Sequence, residues 1–167
     1  PQEVADCRRQ LESYEKSSGG PIQGGMRHRS HVLFPWINQV IRHPRILDAV
    51  EDLIGPNILV FHITLWLKEP NTPAFVSWHQ DSTYFGLSPH EHVTAWVALS
   101  ASSLESGAVQ VVPGSHKRGQ LGHTVRQDAA NLLATGQSAP VDAGGKTISL
   151  VLHAGQFSLH HTLLLHN

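Results

Sequence analysis

Apolar side chains are spaced differently in the two parts of this chain. Up to about residue 56 they recur every three or four positions; beyond it they alternate or form short runs between turns. Residues 3–16 (EVADCRRQLESYEK) are largely polar and free of Gly and Pro, which predicts a short surface helix. Residues 17–25 (SSGGPIQGG) read as a loop, and a second helix is predicted over 36–42. A third starts at Pro44, with Ile46, Leu47, Val50, Leu53 and Ile54 at helical spacing. Proline suits a first helical turn, and Gly55-Pro56 is a stop signal.

Beyond Pro56 the period becomes two. Leu59, Phe61, Ile63, Leu65 and Leu67 fall on one face of a predicted strand over 58–68, expected to face the core. His62, Thr64, Trp66 and Lys68 fall on the other, and Lys68 reads most simply as a charge at a strand end. Further strands are predicted over 75–81, 92–99, 108–112, 146–153 and 156–161. Turn signals such as Ser88-Pro89, Ser106-Gly107, Pro113-Gly114 and Ala154-Gly155 separate them. Many short strands at this spacing predict a mainly β fold, a sandwich or small barrel, flanked by N-terminal α-helices. Residues 119–142 are polar and rich in Ala and Gln, and read as an insertion or mobile loop.

Composition narrows the field. At 167 residues and 40% hydrophobic, the chain suits one core. It reads as a single domain over 1–167, a helical flank (1–56) followed by a β core (57–167). Net charge is close to neutral and no basic stripe is visible, which argues against a nucleic-acid partner. No apolar run reaches the roughly 20 residues of a membrane span. The single cysteine, Cys7, cannot form an internal disulfide, which fits a reducing, cytoplasmic compartment. Thirteen histidines are many for this length, and histidine is the commonest metal ligand. Most of them are expected at surface or strand positions.

The sharpest chemical pattern is Trp78-His79-Gln80-Asp81. On a strand, residues i and i+2 share a face, so His79 and Asp81 would present an imidazole and a carboxylate side by side. That is two thirds of a facial triad, in which two histidines and one carboxylate hold Fe(II) and leave positions open. Such triplets are common by chance, and the third ligand must come from elsewhere. His153, His160, His161 and His166 are the candidates near the C-terminal end. His160 and His161 are adjacent, so at most one faces a cavity. His90 and His92 are expected at the surface. His116, in P-G-S-H, is expected to be structural, with Ser115 and His116 bonding the turn's own backbone.

Four stretches then carry a resemblance: V-S-W-H-Q-D-S-T-Y-F (76–85), T-A-W-V-A-L (94–99), S-G-A-V-Q-V-V-P-G-S-H-K (106–117) and G-Q-F-S-L-H-H-T-L-L-L-H (155–166). In order and spacing the chain resembles the phytanoyl-CoA dioxygenase family. The resemblance implies a double-stranded β-helix, the jelly-roll or cupin-like sandwich. It implies Fe(II), 2-oxoglutarate and O2 as metal, cosubstrate and oxidant. It implies hydroxylation of an unactivated C–H bond of a small molecule, with release of succinate and carbon dioxide. Carried over by position, His79, Asp81 and His166 would be iron ligands. Thr64, four residues before Lys68, would contact the cosubstrate, and Trp96 would pack beside it. A carboxylate at position 81 points to hydroxylation, because related halogenating enzymes have a small residue there. Arg27, His28 and His31 occupy a segment where the family can supply a basic contact. The family continues with a Ser two residues past the distal histidine and an Arg about eleven past it, beyond Asn167. The chain is therefore expected to be incomplete at both ends. Two alternatives stand beside this reading: a cupin-like metal-binding protein without oxygenase turnover, and a 2-oxoglutarate-independent metalloenzyme on the same fold. The substrate and the oligomeric state carry no signature.

Overall fold

The three expected helices form, the third on the apolar stripe that predicted it. The computed structural model describes residues 2–141 and 146–167. α1 (Gln2–Ser18) is more than a surface helix. Its Cys7, Leu11 and Tyr14 lie at i, i+4 and i+7 and join a core with Ile22, Trp36, Ile37 and Leu65. Leu11 is fully buried, so truncation to Ala would cost about 3 kcal/mol. α2 (Pro35–Ile41) contributes Trp36 and Ile37. α3 (Pro44–Ile54) buries Ile46 and Val50 and ends where Gly55 takes a left-handed φ of 82°. Both α2 and α3 begin with proline in the first turn.

The chain falls into two compact units. One gathers the residues up to Leu67 with Val97–Ser100 and Ala154–Gln156; the other gathers Lys68–Trp96, Ala101–His153 and Phe157–Asn167. In the first unit the strand expected over 58–68 is only partly realised. Among the described residues its pairing is confined to Thr64 opposite His28, flanked by bonds from Arg29 N to Ile63 O and from Leu65 N to Arg27 O. Ile63, Leu65 and Leu67 meet the core, but Leu59 is 87% exposed and Phe61 48%. The alternation continues past the point where a neighbouring backbone supports it, so the outer half of the predicted face lies outside the core.

The second unit is built from short antiparallel pieces. β1 (Val93–Val97), which belongs to this unit up to Trp96, pairs with β6 (Phe157–His161). β2 (Gln110–Val111) pairs with β5 (Ile148–Ser149), and β3 (Thr124–Val125) with β4 (Gln137–Ser138). The expected strand over 75–81 is an extended segment with bridges at Phe75 and His79 rather than a continuous ladder. It ends at α4 (Ser82–Phe85). Four backbone segments lie side by side at its heart: His79, then His166, then Val111 of β2, then Ile148 of β5. Val112, Ala139 and Leu165 form the buried core there, with Trp78, Leu121 and Val141 against it.

Residues 119–141 are not the loose insertion that their composition suggested; position 142 lies outside the described residues. The segment carries β3 and β4 and is sewn to the chain before His79. Phe75 exchanges backbone bonds with Ala130 and Leu132, Ala139 N donates to Trp78 O, and Ser77 Oγ donates to Gln137 O. Polar side chains in this segment also take up part-buried backbone groups, Asn131 Oδ1 accepting from Ser77 N and His123 Nε2 from Gln80 N, where composition alone reads solvent exposure.

Candidate metal centre

His79 and His166 face each other across an antiparallel bridge, and His166 is bridged on its other side to Val111. Asp81 reaches the same point differently. Its backbone is already helical (φ −58°, ψ −35°) where the extended segment turns into α4. The carboxylate thus joins His79 at the strand's end rather than along it.

Each histidine donates its Nδ1–H to the carbonyl two residues earlier, His79 to Ser77 O and His166 to Leu164 O, both at 2.9 Å. A carbonyl can only accept, so this fixes the tautomer: the lone pair of each neutral imidazole sits on Nε2. Both Nε2 atoms face Asp81 Oδ1, at 3.5 Å from His79 and 3.7 Å from His166. The three donor atoms lie within 4.8 Å of one another and the side chains are almost entirely buried. Two imidazole lone pairs and a carboxylate oxygen therefore converge with no hydrogen-bond donor between them, an arrangement that a cation would relieve. The two-nitrogen, one-oxygen set suits a divalent first-row metal such as Fe(II).

Electrostatics agree with that fit. Burial alone would raise the Asp81 carboxyl; the imidazoles of His160, His79 and His166 around it outweigh that and hold it well below its ordinary value. Burial, helped by neighbouring His79, pushes His166 down to about 3. At neutral pH the site presents an anion beside an uncharged imidazole, the protonation states that a metal requires.

Several neighbours fill in the surroundings. Thr94 Oγ1 donates to Asp81 Oδ2 at 2.6 Å. His160 Nε2 lies 3.4 Å from the same oxygen. His161 points the other way, its ring 5.6 Å from that of His116, so His160 is the member of the pair that lines the site. His153 is exposed. Ser115 accepts from Leu165 N at 2.8 Å, bonding the backbone beside His166 rather than its own turn as expected. His90 and His92 are half-buried rather than superficial, and the His92 carbonyl accepts from Thr162 N.

Gln80 is completely buried between the two ligand candidates. Its amide donates to Gly119 O and Leu163 O and accepts from Leu121 N. Thr94 and Gln80 were passed over in sequence. A polar residue two positions from Trp96 on one strand face was the available signal for Thr94.

Trp96 lies on β1, on Thr94's side of the strand. Thr64 belongs to the first unit, where its hydroxyl lies 3.1 Å from His28 Nδ1 and 3.0 Å from His62 Nε2. Arg27 there donates from Nε to Leu65 O and lies over the Trp66 ring at 5.3 Å. Lys68 Nζ, in the second unit, donates to Gly107 O. No helix among the described residues is long and apolar enough to cross a membrane.

Comparison with known proteins gives a consistent result. The family profile of phytanoyl-CoA dioxygenase (PhyH) matches residues 12–167. The peroxisomal phytanoyl-CoA dioxygenase of Bos taurus is 32% identical over 129 residues, covering 74% of this chain and 38% of that protein. A probable alpha-ketoglutarate-dependent hypophosphite dioxygenase of Stutzerimonas stutzeri is 28% identical over 156 residues, covering 92% and 54%. Among solved structures, the non-heme monooxygenase ThoJ in its apo form superposes with a TM-score of 0.73 at 30% identity, over 99% of this chain and 60% of that one. The alpha-ketoglutarate-dependent epimerase SnoN shares the fold, with a TM-score of 0.70 at 20% identity over 99% of this chain and 65% of that one. The chain thus spans about 38% to 54% of the length of those two curated relatives.

Proposed function

The chain belongs to the phytanoyl-CoA dioxygenase family, and from that premise we propose that it is the metal-bearing part of an Fe(II)- and 2-oxoglutarate-dependent dioxygenase. The proposed reaction hydroxylates an unactivated C–H bond of a small molecule and releases succinate and carbon dioxide. The proposed architecture is the double-stranded β-helix, in which short paired strands carry the site at one end.

One observation carries this reading: two imidazole nitrogens and a carboxylate oxygen from two distant segments meet with their lone pairs aimed inward and no proton donor among them. His79, Asp81 and His166 would hold Fe(II) on one face. The iron with its 2-oxo acid would supply the oxidative chemistry. The chain's own contribution is geometric and electrostatic. Ser77 and Leu164 carbonyls keep each imidazole in the tautomer that leaves Nε2 available. Asp81 stays anionic and offsets the charge of a divalent ion. Thr64 is the proposed cosubstrate contact and Trp96 the proposed aromatic wall beside it.

The test is stoichiometric. The full-length protein, loaded with Fe(II) and supplied with 2-oxoglutarate and air, should form succinate, faster with a substrate present. Anaerobic addition of 2-oxoglutarate to the ferrous protein should produce a weak visible charge-transfer band. Metal binding without the band or succinate would instead favour a metal-binding module. Turnover of a substrate without 2-oxoglutarate would favour a different metalloenzyme.

A further inference from the structure

We propose that Thr94 and His160 are positioning residues that decide which oxygen of Asp81 a metal takes, an inference resting on the metal-site reading above. The two carboxylate oxygens have separate surroundings. Oδ1 faces the Nε2 atoms of His79 and His166, at 3.5 and 3.7 Å. Oδ2 accepts a 2.6 Å hydrogen bond from Thr94 and lies 3.4 Å from His160 Nε2. A short bond to a charged oxygen is among the stronger hydrogen bonds a side chain makes. Turning the carboxylate to offer both oxygens would break it.

His160 adds a second restraint. Its side chain is only 3% exposed, and neither ring nitrogen has a hydrogen-bond partner. The 3.4 Å approach to Oδ2 is off the hydrogen-bond direction, so the contact is electrostatic as it stands. A buried imidazole without a partner is costly, and the acceptor that it faces is Oδ2. Thr94 and His160 come from β1 and β6, which pair with one another. One small sheet therefore presents both groups to the outer oxygen, while the alternation of β6 turns His161 toward His116.

The consequence concerns coordination number. With Oδ1 alone, the two imidazoles and Asp81 cover one face of a six-coordinate ion. A chelating Asp81 would occupy a further position and leave too few for a bidentate ligand plus one more.

Cobalt(II) tests this through its visible d–d spectrum, which reads coordination number without turnover. The full-length protein and its Thr94→Val, Thr94→Ser, His160→Phe and His160→Gln variants would be titrated with Co(II), with folding checked by circular dichroism. Thr94→Val and His160→Phe should bind about 10- to 100-fold more weakly, the usual effect of losing a partner of a metal ligand. Their spectra should shift toward higher coordination. Thr94→Ser and His160→Gln keep a donor and should stay near wild type in both readouts. If Thr94→Val does not fold, the contrast between His160→Phe and His160→Gln decides. Folded Val and Phe variants with wild-type affinity and spectrum would overturn the positioning role and leave the metal site intact. A wild-type protein with no cobalt spectrum would remove the metal site, and the positioning role with it.

Discussion

The backbones of His79 and His166 are hydrogen-bonded in both directions, His79 N to His166 O at 2.8 Å and His166 N to His79 O at 3.1 Å. A single residue pair of an antiparallel bridge thus sets two imidazoles side by side, with ring centroids 4.2 Å apart. The bridge is made by main chain, so it survives loss of either side chain. His79→Ala and His166→Ala should therefore stay folded and lose the metal. Because partners of ligands are themselves worth 10- to 100-fold, loss of a ligand should weaken divalent-metal binding by more than about a hundredfold. Calorimetric titration with Co(II), beside circular dichroism, checks this; a folded variant with wild-type affinity would exclude that histidine as a ligand.

Asp81 has a different exposure to mutation, since its carboxylate answers four neighbours at once. Asp81→Ala removes the oxygen that both Nε2 atoms face and leaves Thr94 Oγ1 without its acceptor. Metal binding should weaken and 2-oxoglutarate-dependent succinate formation should fall to background. Full succinate production by this variant would eliminate Asp81 from the site.

Much of this arrangement could be read in the residue order. The helices were legible because their stripes and stop signals are local: Pro44 and Gly55 bound α3 where they should. His79 and Asp81 were legible as a pair, although the reason given, two residues on one strand face, held only for His79, because Asp81 is already helical. The choice between His160 and His161 was not legible, since alternation says that they diverge but not which way the sheet faces. The exposure of Leu59 and Phe61 was hidden for a similar reason. A period of two marks a face, and only the neighbouring chain decides whether anything covers it.

Ser115 offers a test of how the second histidine is held. Its hydroxyl accepts from Leu165 N and is fully buried, one residue before His166. Ser115→Ala leaves that N–H without a partner in the core, which should cost about 1–3 kcal/mol. Thermal unfolding should show the loss directly, and metal affinity should fall with it because the His166 segment loosens. An unchanged melting temperature would mean that the hydroxyl is replaceable by water.

Gln80 ties three backbone groups from two segments to the ligand-bearing strand. Replacing it with Leu keeps most of the volume but strands Gly119 O, Leu163 O and Leu121 N. Breaking a buried network of this kind should destabilise by on the order of 3 kcal/mol. Gln80→Glu should also be destabilising, because the lost amide was the donor to both carbonyls. Chemical denaturation of the three proteins ranks them; equal midpoints would show that the network is dispensable.

Acid should unfold the metal-free protein in a defined direction. His166 is depressed to about 3 by burial and by His79, and His28, His62, His92 and His161 are depressed first by burial and then by neighbouring positive charge. For a histidine whose folded value is lowered, the unfolded chain takes up its proton first. Stability is therefore intact above about pH 6.5 and is lost as pH falls below it. His166 alone would contribute a slope of up to about 1.4 kcal/mol per pH unit between roughly pH 6.5 and 3. Asp81, held low in the folded state, acts with the same sign: the unfolded carboxyl protonates first, so its contribution is lost as pH falls below its ordinary value. Urea midpoints of the metal-free protein should be level from pH 8 to 7 and then fall steadily toward pH 4.5. In His166→Asn the fall should be shallower, since the most depressed of these groups is gone. A midpoint independent of pH across that range would contradict the burial of a neutral His166. Added divalent metal should hold the midpoint higher near neutral pH, because it binds the assembled site of the folded chain, where Asp81 and His166 are already deprotonated.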